Sequence, residues 1–237
     1  GGIVSMEFDE AGDIYLLTEV YVLNDDSYYI ESTISKYRAR NGDLVWTETI
    51  DEDVIQFKLD KVGNLYALTK VFAGIDSTGP SPENIYQFQL RKFRAVNGHS
   101  AWSSKGFTLL EYSMPSFSVD NDNNIYLVRD TANITTDIAD LSVTKYGADE
   151  TMQWQKIFVG SYGGFITITP GGEPLLSINS QLLKLDGNGD PLWSLPIYMS
   201  SLHFDKAYNV YGLGKLHSNT ILYKINHQEG TIIDQES

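Results

Sequence analysis

Short runs in which apolar and polar residues alternate are separated along this chain by clusters of Asp, Asn and Gly, and one such pair of runs recurs five times. In the second copy Phe57, Leu59 and then Leu65 fall on one side and Tyr66 on the other, the period of two half-buried strands. Between them stands Asp60-Lys61-Val62-Gly63-Asn64. Its residues bond their own backbone or tolerate positive φ, as a tight turn requires. The other copies are Met6 to Tyr15, Phe117 to Tyr126, a degenerate Ile166 to Leu175, and Leu202 to Tyr211. From the Asp position (Asp9, Asp60, Asp120, Thr169, Asp205) to the Tyr position (Tyr15, Tyr66, Tyr126, Leu175, Tyr211) is six residues every time. Each copy predicts a β-hairpin.

A second hairpin follows each first one. It runs from Lys36, Lys92, Lys145, Lys184 or Lys224 through a turn to Trp46, Trp102, Trp154, Trp193 or, in the last copy, Asp234. Lys to Trp measures 10, 10, 9 and 9 residues. Two hairpins per repeat make a four-stranded antiparallel meander, the shape of a propeller blade. The expected fold is all-β: a β-propeller of about five four-stranded antiparallel blades. They span 4–54, 55–115, 116–164, 165–200 and 201–237, one domain that stands alone or within a longer chain. The distance from the Tyr position to Lys varies as 21, 26, 19, 9 and 13 residues, whereas Lys to the next Asp position is 24, 28, 24 and 21. The insertions therefore sit between the second and third strands of the early blades. Such one-sided insertions mark either ordinary loop variation or a binding face.

Val143-Thr144-Lys145-Tyr146 through Trp154, and Lys184-Leu185-Asp186 through Trp193, resemble the bacterial SBBP-type propeller repeat. The Gly-x-x-x-Trp ending is similar to PQQ-like and outer-membrane assembly scaffold (BamB-like) blades, and the first hairpin to NHL repeats. The resemblance implies a propeller, and a secreted or cell-envelope location. It says little of activity, because its residues are turn and packing residues and propellers host unrelated functions. The fourth copy departs from the pattern in its first hairpin, and the fifth lacks its Trp.

Charge narrows the partners. The chain has 17 basic and 31 acidic residues, a net charge of −14 and a pI near 4.5, which disfavours nucleic acid and anionic membranes. No apolar run reaches the roughly 18 residues of a membrane helix. With no cysteine, thiol catalysis and disulfides are excluded, and so is the vicinal cysteine pair of the PQQ alcohol dehydrogenases. His99, His203, His217 and His227 lack zinc spacing, and no nucleotide or serine-nucleophile motif is present.

The four Trp residues read as packing between adjacent sheets, and the recurring Lys residues as solvent-side strand residues that discourage edge pairing. Asp120, Asp122 and Asn124, and Asp186, Asn188 and Asp190, alternate oxygen side chains as a calcium loop does. Neither run is followed by the bidentate Glu of a calcium loop, and both fall on hairpin turns that need Asp, Asn and Gly anyway. Turn chemistry is therefore the better reading; calcium stays a possibility and no other cofactor is expected. The long connections carry the candidate binding residues: Tyr21, Asp25, Asp26, Tyr28 and Tyr29 in the first blade, Phe72, Asp76, Glu83 and Tyr86 in the second, and Asp130, Asn133 and Asp137 in the third. The stretch from Ile75 to Asn84 is rich in Pro and Gly and predicts a loop. Aromatic and acidic groups together suit a protein or carbohydrate ligand, or cross-strand pairing within a hairpin. The leading expectation is a non-catalytic binding or scaffolding module that recognises protein or carbohydrate. The alternative is an enzyme, of hydrolase or lyase type, with a carboxylate site at the channel mouth.

Overall fold

The computed structural model describes residues 2–236 except 25–26, 79–80, 105, 111–112, 132–139, 162–163 and 217–218; at Asn24, Ser27, Tyr28, Lys215 and Leu216 it describes the backbone alone. Among the described residues all regular structure is β, in five antiparallel sheets of propeller blades. They divide into two compact units, Gly1–Tyr112 and Ser113–Ser237.

The first unit holds sheet 1, with β1 (Gly2–Phe8), β2 (Ile14–Asn24), β3 (Ser27–Tyr37) and β4 (Leu44–Ile50), and sheet 2. Sheet 2 has β5 (Asp53–Leu59), β6 (Leu65–Asp76), β7 (Glu83–Phe93), β8 (Ser100–Ser103) and β9 (Phe107–Leu110). β8 and β9 are one outer strand in two pieces: β8 pairs with Arg91–Phe93 and β9 with Ile85–Phe88. The second unit holds three sheets. Sheet 3 has β10 (Ser116–Val119), β11 (Ile125–Thr131), β12 (Asp140–Tyr146) and β13 (Met152–Phe158). Sheet 4 has β14 (Gly164–Ile168), β15 (Pro174–Ile178), β16 (Gln181–Leu185) and β17 (Pro191–Leu195). Sheet 5 has β18 (Met199–Phe204), β19 (Val210–Leu216), β20 (Asn219–Asn226) and β21 (Thr231–Glu236).

The core lies between consecutive sheets. Tyr15, Leu17, Ile34 and Trp46 of sheet 1 pack on Val54, Phe57, Leu65 and Phe93 of sheet 2. Tyr126, Val128 and Val143 meet Ile166, Leu176 and Leu185, and beyond them Leu175 and Leu182 meet Val210, Tyr223 and Ile225. Sheet 4 is therefore covered on both faces. Leu65–Thr69, Ile125–Val128 and Pro174–Ile178 are buried without alternation, which corrects the expectation of half-buried strands there. Strict alternation belongs to a sheet with one wet face, and sheet 4, packed between sheets 3 and 5, has none.

Each sheet has two ends. The β1–β2 and β3–β4 turns and their counterparts form one end of every meander, the hairpin between second and third strands the other. The hairpin end changes most in length. β2 and β3 have 11 residues each and β6 and β7 have 12 and 11, against 5 in β15 and in β16. The two ends of the expected loop at 75–84 are strand, since Ile75 pairs with Asn84 and Asp76 with Glu83. Backbone ladder bonds formed in register with the sheet below outweigh the local composition at those four positions.

Candidate binding surface

At the turn end the polar groups close on one another. Asp60 Oδ1 accepts the amides of Val62 and Asn64, and Oδ2 accepts the Asn64 side chain at 2.9 Å. Asp9, Asp120 and Asp205 do the same work in their turns. The third residue after each of these, and after Thr169 in the fourth copy, is left-handed: Gly12, Gly63, Asn123, Gly172 and, with a side chain that disfavours it, Tyr208 at φ 65°. Side-chain caps of this kind account for the recurrence of Asp in these turns.

Lys36 and Lys184, expected on the solvent side, are buried. Lys36 lies on β3 between Tyr15 and Trp46 in register, and the same Tyr–Lys–Trp row crosses sheet 3. Its ammonium is 4.8 Å above the Tyr15 ring, 2.9 Å from Asp9 and 3.2 Å from Asp13. Lys92, Lys145 and Lys224 cover Tyr66, Tyr126 and Tyr211 in the same way. Burial opposes the Lys36 charge, but bonds to Tyr15, Asp9 and Asp13 win and hold its pKa above the ordinary lysine value. The degenerate fourth copy rebuilds this cluster from other residues. Thr169 takes the cap, accepting the Glu173 amide, and Glu173 supplies the carboxylate 3.2 Å from the buried Lys184. Burial raises the Glu173 carboxyl, yet the Thr169 hydroxyl and Lys184 outweigh it and leave it below its usual range.

The Trp residues lock neighbouring sheets at the same end. Trp46 Nε1 donates to Ala95 O, Trp154 to Gly187 O and Trp193 to His227 O, at 2.9, 2.8 and 3.0 Å. Each ring lies on the glycine of the next turn: a Cβ at Gly98, Gly189 or Gly230 would come within 2.6, 2.8 or 2.5 Å of it.

The calcium candidates fall in these turns. Asp120 Oδ1 takes two amides, and its Oδ2 takes the Asn124 side chain and the Tyr126 hydroxyl. Asp186 Oδ1 takes the amides of Asn188 and Asp190, while Asp190 pairs with Lys156 at 2.8 Å. Among the described residues no group of three or more His, Asp or Glu is arranged to hold a metal.

At the hairpin end the surface is open. Tyr21, Leu23 and Tyr29 are exposed on β2 and β3, and Val71, Phe72 and Ile75 on β6; Tyr21 reaches 72%. Phe72 stands edge-on to Tyr86 at 5.9 Å, and Lys70 lies 4.1 Å over the Tyr86 ring. Asp76 accepts the Thr78 hydroxyl and amide, which lower its pKa. Glu83 faces Asp76 across the ladder, and Asp130 faces Leu141 in sheet 3. Asp25, Asp26, Asn133 and Asp137 lie outside the described residues, as does the side chain of Tyr28.

Two carboxylates escaped the repeat pattern because they occupy no repeated position. Burial holds the Glu19 carboxyl above its usual range, helped by the charge of Asp53. Asp53 is raised by burial too, against the pull of Lys70, its partner across the ladder. An acidic residue beside a buried sheet junction was the available signal.

No protein-family model matches the chain, and no curated protein matches its sequence. Among solved structures it is similar to the Dos1 propeller, with a TM-score of 0.51 and 11% identity over 96% of this chain and 82% of that one. It is also similar to prolyl oligopeptidase B from Galerina marginata, with a TM-score of 0.56 and 12% identity over 100% of this chain and 35% of that one. A third is a eukaryotic initiation factor, with a TM-score of 0.50 and 11% identity over 99% of this chain and 55% of that one. At these identities the likeness shows the fold alone.

Proposed function

We propose that the chain is a non-catalytic β-propeller module that holds a protein partner on the extended hairpins of sheets 1 and 2. One observation carries the reading: Tyr21, Leu23, Phe72 and Ile75 are all more than half exposed on hairpins about twice the length of the one in sheet 4. Apolar side chains grouped outside a core mark interaction surfaces. The mixture favours protein over carbohydrate, because exposed Leu, Val and Ile offer a sugar no ring to stack on and no hydrogen bond. The recurring carboxylates are spent as turn caps, which leaves an enzyme Glu19 and Asp53 as its best pair. With this reading goes a secreted or cell-envelope location, proposed on the resemblance of the repeats.

The test replaces all four exposed residues by serine and compares parent and variant in capture from native extract and on a glycan array. Protein capture by the parent, lost in the variant, supports the proposal. Capture that survives refutes it, and a glycan signal lost in the variant would make the ligand a carbohydrate.

A further inference from the structure

Strand alternation carries one row of side chains from the core of the first unit out into solvent. On β2, Tyr15 and Leu17 pack on sheet 2, and Glu19, Tyr21 and Leu23 continue their row. The β2–β3 ladder is unbroken, so Ile34, Ser32 and Ile30, opposite Leu17, Glu19 and Tyr21, share that face. On β6, Leu65 and Ala67 pack on sheet 1, and Thr69 and Val71 continue the row, opposite Gln89 and Gln87. The two hairpins therefore flank a groove. Its walls are Tyr21 and Leu23 on one side and Val71 on the other, all exposed. Its floor is the seam between the sheets. There the Ser32 hydroxyl accepts the Val54 amide at 3.0 Å, and the link 51–52 crosses from Ile50, opposite Ser32, to Asp53.

This floor is acidic. Glu19 and Asp53 are both partly buried, and among the described residues neither carboxylate has a hydrogen bond or a direct ion pair. The basic groups nearby are already engaged, Arg91 with Glu52 at 3.7 Å and Lys70, opposite Asp53, over the Tyr86 ring at 4.1 Å. Burial holds both carboxyls above their usual range, a cost to the fold that a cation seated between them would relieve.

We propose that this groove seats an arginine of the protein partner, its guanidinium against Glu19 and Asp53 and its apolar neighbours against Tyr21, Leu23 and Val71. The proposal rests on the binding reading above and names where and by what chemistry the partner is held. Charge complementarity selects the occupant: an apolar groove with an acidic floor fits an apolar segment that carries a positive charge. Arginine suits it better than lysine. Its planar fork offers donors to two carboxylates at once, and it is less strongly hydrated than an ammonium. A second copy is a poor occupant, because the chain carries a net charge of −14 and Asp51 adds another carboxylate beside the floor.

The probe is a fluorescein-labelled peptide, Ser-Val-Leu-Arg-Leu-Val-Ser, titrated by anisotropy into the full chain. Beside it runs the same peptide with citrulline, neutral and nearly isosteric, in place of arginine. Saturable binding of the arginine peptide is expected, with the citrulline peptide weaker by about tenfold or more. Glu19→Gln with Asp53→Asn removes that preference, so that both peptides bind alike. These substitutions relieve buried charge, so the variant folds at least as well as the parent and a lost preference is not a lost fold. Tyr21→Ser with Leu23→Ser weakens both peptides. Phe72→Ser with Ile75→Ser weakens neither, since those side chains share the opposite face of the hairpin with Tyr86 and Asn84. Absent binding, equal binding of the two peptides to the parent, a preference that survives in the Glu19/Asp53 variant, or an equal loss in the Phe72/Ile75 variant overturns the proposal. Concentration-dependent dimerisation of the chain that Tyr21→Ser abolishes would also overturn it, by putting a second copy in the groove. Partner capture from extract that Glu19→Gln with Asp53→Asn leaves intact refutes the arginine site and keeps the binding reading, whereas capture that the four serines fail to reduce refutes the reading itself.

Discussion

The two ends of sheets 1 and 2 are built from the same strands and treat their side chains in opposite ways. At the turn end Asp9, Asp13, Tyr15 and Lys36 bond one another, and Trp46 is seated on the next sheet. At the hairpin end the same β2 carries Tyr21 and Leu23 into solvent. The β2–β3 ladder runs unbroken from Ile14 opposite Tyr37 to Asn24 opposite Ser27, so the pairing of these two strands does not distinguish the ends of sheet 1. What distinguishes them is whether a neighbouring sheet is there to be packed on. The difference separates residues that recur because the fold needs them from residues that the fold leaves unused.

Substitutions sharpen that contrast, and the largest effect belongs to the turn end. Trp46→Ala removes a ring that is only 8% exposed together with its bond to Ala95. It is expected to cost about 3–5 kcal/mol in urea unfolding, the usual range for a buried Trp. A loss below about 1 kcal/mol would mean that the ring is not a structural lock. Next comes a pair of glycines with nearly the same φ, Gly98 at 72° and Gly42 at 73°. Alanine at Gly42 meets nothing within 4 Å, so it costs about 1 kcal/mol for the left-handed backbone. Alanine at Gly98 also collides with Trp46 and is expected to cost about 2 kcal/mol more. Equal effects at the two sites would break the account of the lock.

Two carboxyls with opposite shifts give smaller effects of opposite sign. Glu173 is depressed, so its contribution is full above the unfolded pKa near 4.5 and lost as pH falls through the folded value. Glu173→Gln therefore destabilises at neutral pH, and the difference from the parent closes on acidification. Asp53 is raised, so it favours the fold below the unfolded pKa near 3.8 and penalises it as pH rises through the folded value. Asp53→Asn is expected to stabilise at neutral pH, with the gain vanishing in acid. Thermal melts across the acid range read both, and parallel curves for the two variants would contradict the assignment. Smallest is the hairpin end: Phe72→Ser with Ile75→Ser should change stability by less than about 0.5 kcal/mol per site, as exposed positions do. A larger loss would show that these side chains serve the fold.

The five sheets were legible because the Asp-to-Tyr and Lys-to-Trp intervals recur, and intervals survive where residues do not. The fourth copy keeps its spacing with Thr169 and Leu175 in place of Asp and Tyr. The lysines misled because a charged residue on a strand ordinarily faces water. Lys36 and Lys184 are buried through contacts with Asp9, Asp13 and Glu173, and the first two of those also serve the turn and its neighbour. Ile75 and Asn84 misled in the other direction, since local composition cannot see the ladder that extends into them. Tyr21 and Phe72 were picked out from the unequal spacing of the repeats.

The central claim is that one end of these sheets meets a partner and the other holds the fold together. A photo-crosslinking amino acid placed singly at Tyr21, Phe72, Asn41 and Asn188, all exposed, tests it most directly. The account predicts a common crosslinked partner from Tyr21 and Phe72 and none from Asn41 or Asn188. The same partner crosslinked from Asn41 or Asn188, with Tyr21 and Phe72 silent, would contradict it and move the binding surface to the turns.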